Sequence, residues 1–222
     1  AWMPGMYEQN TPTVLILHGL TGGERSPYIR GLMREIHDAG WRGVMMQFRG
    51  AGEEPNRLPR GYHPGDTQDL NFVVKSLKQR FPNTPLAAVG FSMGGNILLK
   101  WLGEKGASAS LTTAVAVSVP FQLEECVQAF KRGFSRFYQW TLLRRLRRAM
   151  RQKFKFVPMP LPLPDWRKVK DFLTFDLMFT LPLHGYAPAP LDYYRKSSSR
   201  HYLKTIGIPT LILHAKDEPL MH

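Results

Sequence analysis

The sequence predicts an α/β fold: a mostly parallel sheet flanked by helices, with a helical insertion near its C-terminal side. Three observations carry that prediction. Five short apolar, β-branched runs recur along the chain, amphipathic helix-length stretches alternate with the first of them, and residues 120–191 carry helical patterning with no clear strand.

The runs Thr13 to His18, Gly43 to Phe48, Leu86 to Gly90, Thr113 to Val119 and Pro209 to Ala215 read as buried strands. Between the first two, Pro27 to Ala39 opens behind Ser26 and stops at Gly40. Thr67 to Arg80 begins at an Asp66/Thr67 cap signal and sets Leu70, Val73, Val74 and Leu77 on one face. Met93 to Lys105 starts directly after the third run. The alternation then stops. A basic, aromatic helical pattern follows, with the proline-punctuated VPMPLPLP behind it, and we read this stretch as an inserted cap. The expected organisation is a core over 1–120, a helical cap over 121–190 and a return to the core over 191–222.

Composition narrows the function. One cysteine, Cys126, excludes an internal disulfide and a Cys-based zinc site, which fits a reducing compartment such as the cytoplasm. No apolar run reaches the length of a spanning helix, and no signal-peptide pattern opens the chain. The net charge of +13 is concentrated: Cys126 to Pro164 holds ten basic residues and no acid, and removing those ten leaves +3 for the rest. Any anionic partner belongs to that segment.

Three motifs carry chemistry. In Gly90-Phe91-Ser92-Met93-Gly94 the glycines flank a serine where a strand passes into a helix, a turn tight enough to present Oγ above the sheet edge. His18-Gly19-Leu20-Thr21-Gly22-Gly23 follows the first strand and has the form of a loop that gives a second backbone N–H to an oxyanion hole, with donors at Leu20 and Met93. His214-Ala215-Lys216-Asp217-Glu218-Pro219 leaves the last strand where a serine triad takes its acid; Asp217 is the candidate and Glu218 its competitor. The alternative for each is plain: a capped glycine turn, an ordinary strand-end turn and a solvated turn acid.

Together LILHGLTGG, MQFRGAGEEPNR, YHPGDTQD, AVGFSMGGN, KRGFSRFYQW, FDLMFTLPLHGYAPAPLDYYRKSS and PTLILHAKDEPLM resemble the YheT-type branch of the α/β-hydrolases, which is similar to the AB-hydrolase-domain acyl hydrolases of animals. The resemblance implies a serine hydrolase acting on small-molecule carboxylic esters, with short- to medium-chain acyl esters, acylglycerols or other lipid esters as substrate class. Ser92 matches the family nucleophile, Asp217 the charge-relay acid, and Leu20 with Met93 the oxyanion donors.

The departure from the family pattern concerns the base. The resemblance places it in a glycine–histidine segment some tens of residues past the acid, and here five residues follow Asp217. His222 stands too close behind the acid; His18, His37, His63, His184, His201 and His214 fall at the wrong places in chain order. The resemblance therefore implies truncation at both ends, a histidine beyond residue 222, and a chain nearly inactive as an esterase.

The basic segment has its own pattern. Leu142, Leu143, Leu146, Met150 and Phe154 recur at helical spacing, with Arg144, Arg147, Arg148, Arg151 and Lys155 opposite. Such a helix packs as a cap with a solvated basic face, or meets an anionic membrane peripherally. No nucleic-acid-binding motif accompanies the charge. A non-catalytic hydrolase-like module that binds an anionic membrane or partner through this cap is the alternative function. With no GxGxxG, no GxxxxGK[ST] and no HExxH, neither cofactor nor metal is expected.

Overall fold

The computed structural model describes residues 8, 10–162 and 165–218. Strands β1 (Thr13–Leu17), β2 (Arg42–Met46), β3 (Leu86–Phe91), β4 (Thr113–Val117) and β5 (Thr210–Leu213) form one sheet in the order β2-β1-β3-β4-β5, every pair parallel. Each lies within two residues of its predicted run. β1 and β2 are buried throughout, in keeping with the apolar runs Val14–Leu17 and Val44–Met46, whereas β5, at the other edge of the described sheet from β2, leaves Leu211, Ile212 and Leu213 exposed. From β1 the chain steps outward to β2, and from β3 it steps the other way to β4. The order reverses between β1 and β3, and their C-terminal ends lie side by side, Leu17 opposite Gly90. Such a switch point opens a crevice at the carboxyl ends of the strands.

Helices cover both faces. Ile29, Met33 and Ile36 of α1 (Pro27–Asp38) pack on Val14, Ile16 and Met45. On the other face, α2 (Gln68–Arg80) and α3 (Met93–Lys105) bury Leu70, Val74, Leu77 and Ile97 through Leu99 against Leu15, Leu17, Val44 and Ala88. The Asp66/Thr67 signal marks the start of α2 correctly, but Asp66 Oδ1 does the capping, accepting from the Gln68 amide at 3.2 Å. Ser26 opens α1 without capping it; its Oγ accepts from the Gly23 amide and shapes the preceding turn instead.

Between β4 and β5 the described residues are helical: α4 (Leu123–Ala129), α5 (Ser135–Lys153), α6 (Phe172–Phe175), a π-helical turn (Asp176–Thr180), α7 (Leu181–Leu183) and α8 (Pro190–Ser197). They bury an apolar cluster of their own around Leu143, Val169, Phe175 and Phe179. Leu20 packs against both this cluster and the main core. The insertion leaves and rejoins the sheet at one place: the Leu123 amide donates to Ser198 Oγ at 3.0 Å and the Arg200 amide to the Phe121 carbonyl at 3.2 Å. Contact with the core resumes in the 3-10 turn Ser199–Thr205, where Thr205 Oγ1 donates to the Gly103 carbonyl of α3 at 2.8 Å.

Three positions in and at the end of α5 depart from the amphipathic reading. The helix ends at Lys153, so Phe154 caps it rather than extending its apolar stripe. Lys153 and Arg145 belong to neither face of the periodic pattern; Lys153 is buried, Arg145 is exposed, and both line one cavity with Arg49 and Gly50 of the core.

Candidate active site

Ser92 sits at φ 50° and ψ −120°, a left-handed conformation that a residue with a Cβ adopts only where its surroundings impose it. Its amide donates to the Val117 carbonyl of β4 at 2.8 Å, and its carbonyl accepts the first helical bond of α3 from Asn96 at 3.0 Å. Strand and helix thereby grip the serine from both sides. Gly94 permits this packing: a Cβ there would lie 2.5 Å from the His18 carbonyl oxygen. The loop after β1 also approaches the serine, since a Cβ on Gly19 would stand 3.3 Å from Ser92 Cβ.

Leu20 and Met93 line one cavity of about 150 Å³ together with Ser92. Neither amide N–H has an acceptor among the described residues, and Met93 opens α3, where the helix dipole is positive. Leu123, Val127, Phe130, Leu142 and Phe172 of the insertion make most of the opposite wall, which is apolar. Cys126 is there too, but burial and then the Glu218 carboxylate push its thiol up to about 12, so it is no nucleophile at neutral pH.

His18 is fully buried behind this cavity. Its Nε2 accepts from the Phe48 amide at 3.2 Å, which leaves the ring proton on Nδ1, 2.7 Å from the Gly19 carbonyl. The ring fixes the loop and has no lone pair to offer a serine. His63 does line the cavity, yet its Nδ1 accepts from the Gly65 amide at 3.1 Å, so Nε2 carries the proton and can only donate. Burial, reinforced by neighbouring His184 with ring centroids 4.4 Å apart, lowers the His63 pKa to about 3. His37 and His201 are exposed, and His214 sits on the exposed side of β5 near Phe121. His222 lies outside the described residues.

Ser92, Leu20 and Met93 are thus brought together; Asp217 is not joined to them by any contact among the described residues. It is exposed in the turn after β5, while half-buried Glu218 reaches the field of Cys126 and so stands near the cavity wall. Both remain candidates for the acid.

Three residues of the site escape a reading by motif. Asn96 is completely buried one turn into α3: Nδ2 donates to the carbonyls of Pro64 and Ser197 at 2.9 and 2.8 Å, and Oδ1 accepts from the Ser199 amide at 2.8 Å. It staples the loop carrying His63 and the end of the insertion to the serine's helix. Asp176 opens the π-helical turn inside the cavity, accepting from Thr180 Oγ1 and from Tyr194 Oη at 2.7 Å; burial raises its pKa to about 6. His63 is the third, and its HPG context gives no sign that it faces the serine.

A model of the α/β hydrolase fold matches residues 12–222 of this sequence. The chain belongs to the α/β-hydrolase family. The chain is 42% identical over 96% of its length to the putative esterase YheT of Escherichia coli, of which it covers 63%. To a Saccharomyces cerevisiae monoacylglycerol lipase it is 32% identical over 95% of its length and 48% of that protein's. It therefore spans between about half and 63% of these relatives. Among solved structures, the Pyrococcus furiosus esterase Pf2001 superposes over 96% of this chain and 76% of its own, with a TM-score of 0.53 at 18% identity, a likeness of fold.

Proposed function

We propose that this chain carries the catalytic core of a serine hydrolase that cleaves carboxylic esters with short- to medium-chain or lipid acyl groups. The observation that carries the reading is Ser92 held in left-handed backbone at the sheet's switch point, facing an apolar cavity between two amides without acceptors. The names of the relatives, an esterase and a monoacylglycerol lipase, support the same class. Ser92 Oγ attacks the ester carbonyl carbon and gives its proton to a base; the carbonyl oxygen takes the negative charge between the Leu20 and Met93 amides. As the tetrahedral intermediate collapses, the alcohol leaves with that proton and the acyl group remains on Ser92. Water then adds to the acyl carbon, the acid departs and the serine regains its proton. Asp217, or Glu218 beside it, orients the imidazole that relays the proton, a role no described histidine is placed to fill.

The test uses a fluorophosphonate probe and p-nitrophenyl octanoate, with added imidazole standing in as base. The probe is expected on Ser92 and absent from S92A, and hydrolysis in excess of S92A at the same imidazole concentration is expected to be slow and to rise with imidazole. A folded chain that takes no probe at Ser92 under these conditions overturns the reading.

One further observation favours a second role. Phe134, Phe137 and Trp140 form an exposed ladder on α5, 70%, 58% and 55% accessible, with ring centroids 5.8 and 6.0 Å apart. Arg136 is exposed among them, and Arg144 lies 5.6 Å from the Trp140 ring. Aromatic rings interleaved with cations are the composition of a helix that rests in an anionic lipid surface.

A further inference from the structure

The amides of Leu20 and Met93 are held in different ways. Met93 opens α3, so the helix aims its N–H. Leu20 lies in a loop, where no regular hydrogen-bond ladder fixes the peptide planes. Its direction has to come from side chains.

Every neighbouring amide in that loop is taken. On one side of Leu20 the Gly19 N–H donates to Tyr28 Oη at 3.0 Å, and on the other the Thr21 N–H donates to Tyr62 Oη at 3.0 Å. Gly22 N–H closes a turn on the Gly19 carbonyl at 3.0 Å, and Gly23 N–H donates to Ser26 Oγ at 3.1 Å. From Gly19 to Gly23 the Leu20 amide alone has no acceptor among the described residues. The Gly19 carbonyl belongs to the same trans peptide group as that amide, and it also accepts from His18 Nδ1 at 2.7 Å. In a trans peptide the N–H points away from the C=O, so donors gathered on the carbonyl aim the Leu20 N–H to the opposite side.

The loop is built round the two phenols. A Cβ on Gly22 would lie 2.7 Å from Tyr28 Oη, so the hydroxyl reaches the backbone because this residue is glycine. Thr21 takes φ 57° in a turn position usually given to glycine, and its amide is the one Tyr62 holds. The core seats both rings: Tyr28 lies against Phe91 with centroids 4.8 Å apart, and Tyr62 stacks on Phe48 at 5.4 Å. Burial pushes the Tyr62 hydroxyl up to about 12 and keeps it neutral. A carboxylate could accept from the same amide, but it would set a negative charge beside a forming oxyanion; a phenol does not.

We propose that Tyr28 and Tyr62 are positioning residues for ester cleavage: by taking the amides of Gly19 and Thr21, their hydroxyls aim the Leu20 N–H between them at the carbonyl oxygen of an ester attacked by Ser92. The proposal rests on the ester-hydrolase reading of Ser92 and adds to it two residues that act through the loop. Phenylalanine at either position keeps the ring and removes the acceptor. The freed amide then turns toward another partner, and the adjoining Leu20 peptide plane turns with it.

The test follows labelling of Ser92 by an octyl fluorophosphonate with imidazole as base, separating the limiting rate kinact from the half-saturating concentration KI. Ser92 Oγ bonds to phosphorus, imidazole takes the proton, fluoride leaves, and the phosphoryl oxygen gathers charge where the ester oxygen would. Removing an oxyanion donor outright costs about a hundredfold to a thousandfold, and misaiming one costs less. Y28F and Y62F are each expected to lower kinact by about tenfold at unchanged KI and unchanged final labelling. A general loss of structure would lower the fraction labelled instead. S26A frees the Gly23 amide, which does not adjoin Leu20, and is expected to hold kinact within about twofold of native. Tyr28 is 39% exposed, so Y28F leaves the fold intact even if Y62F does not. A native kinact in Y28F, or an equal fall in S26A, overturns the proposal. The two layers separate in the same data: a native chain that takes no label refutes the hydrolase reading, whereas a native chain labelled no faster than Y28F refutes the positioning role alone.

Discussion

Asn96 lies fully buried on the first turn of α3, four residues after Ser92, and commits both polar atoms of its side chain to backbone groups. Replacing it by alanine leaves one amide and two carbonyls buried without their partner, at about 1–3 kcal/mol for each unsatisfied group before relaxation. N96A is therefore expected to lower stability by about 3 kcal/mol or more, read as a shift in the urea midpoint at constant slope. If the midpoint does not move, the staple is not what joins insertion to core. Glycine and serine at the elbow were legible because their spacing is dictated by steric packing, and the same packing dictates the sequence wherever such a turn occurs. Asn96 was not, since a polar residue on a helix looks the same whether it faces water or three backbone groups. His63 was passed over for a related reason: its burial comes from α8 and the segment at 184–193, far along the chain.

Elements were read more faithfully than contacts. Strand and helix bounds agree because apolar periodicity records burial on a face, and in a parallel sheet that burial is nearly complete. Helix α5 shows where the method ends. Its leucines announced an inward stripe, and Leu143 is indeed 2% exposed. Arg144, Arg147, Arg148, Arg151 and Lys155, however, read as one solvated face, and nothing local marks Lys153 between them as the residue that enters the protein. The exposed ladder of Phe134, Phe137 and Trp140 went equally unassigned, because aromatic residues at helical spacing normally read as core. If the ladder meets lipid, the double substitution F137S/W140S lowers partition onto phosphatidylserine vesicles by about tenfold or more while leaving Ser92 labelling unchanged. Binding by the native chain should also weaken with salt and with neutral lipid. Equal partition of the variant and native chains would leave the ladder as ordinary surface.

At the scale of the whole molecule, His63, His184 and Asp176 each contribute to the response to acid. Burial, with neighbouring cations in second place, lowers His184 from 6.5 to about 4, and burial lowers His63 to about 3. The unfolded chain takes up protons first at these sites, so their contribution is complete above pH 6.5 and is lost as pH falls through the folded values. Asp176 acts in the opposite sense: raised from 3.8 to about 6, it contributes fully below 3.8 and loses that contribution as pH rises through 6. D176N removes the opposing effect, so its stability should fall more steeply than the native protein's on acidification from about pH 6 to pH 4. Parallel curves of midpoint against pH would refute the assignment. A last consequence belongs to the junction where Leu123 and Phe121 meet Ser198 and Arg200. Most of the apolar wall that faces Ser92 hangs from that closed neck, while Ser92 and the amides of Leu20 and Met93 sit on the sheet below. Lengthening, shortening or exchanging the hanging part leaves the neck's geometry untouched, so the wall that faces the serine can change without disturbing the elbow beneath it.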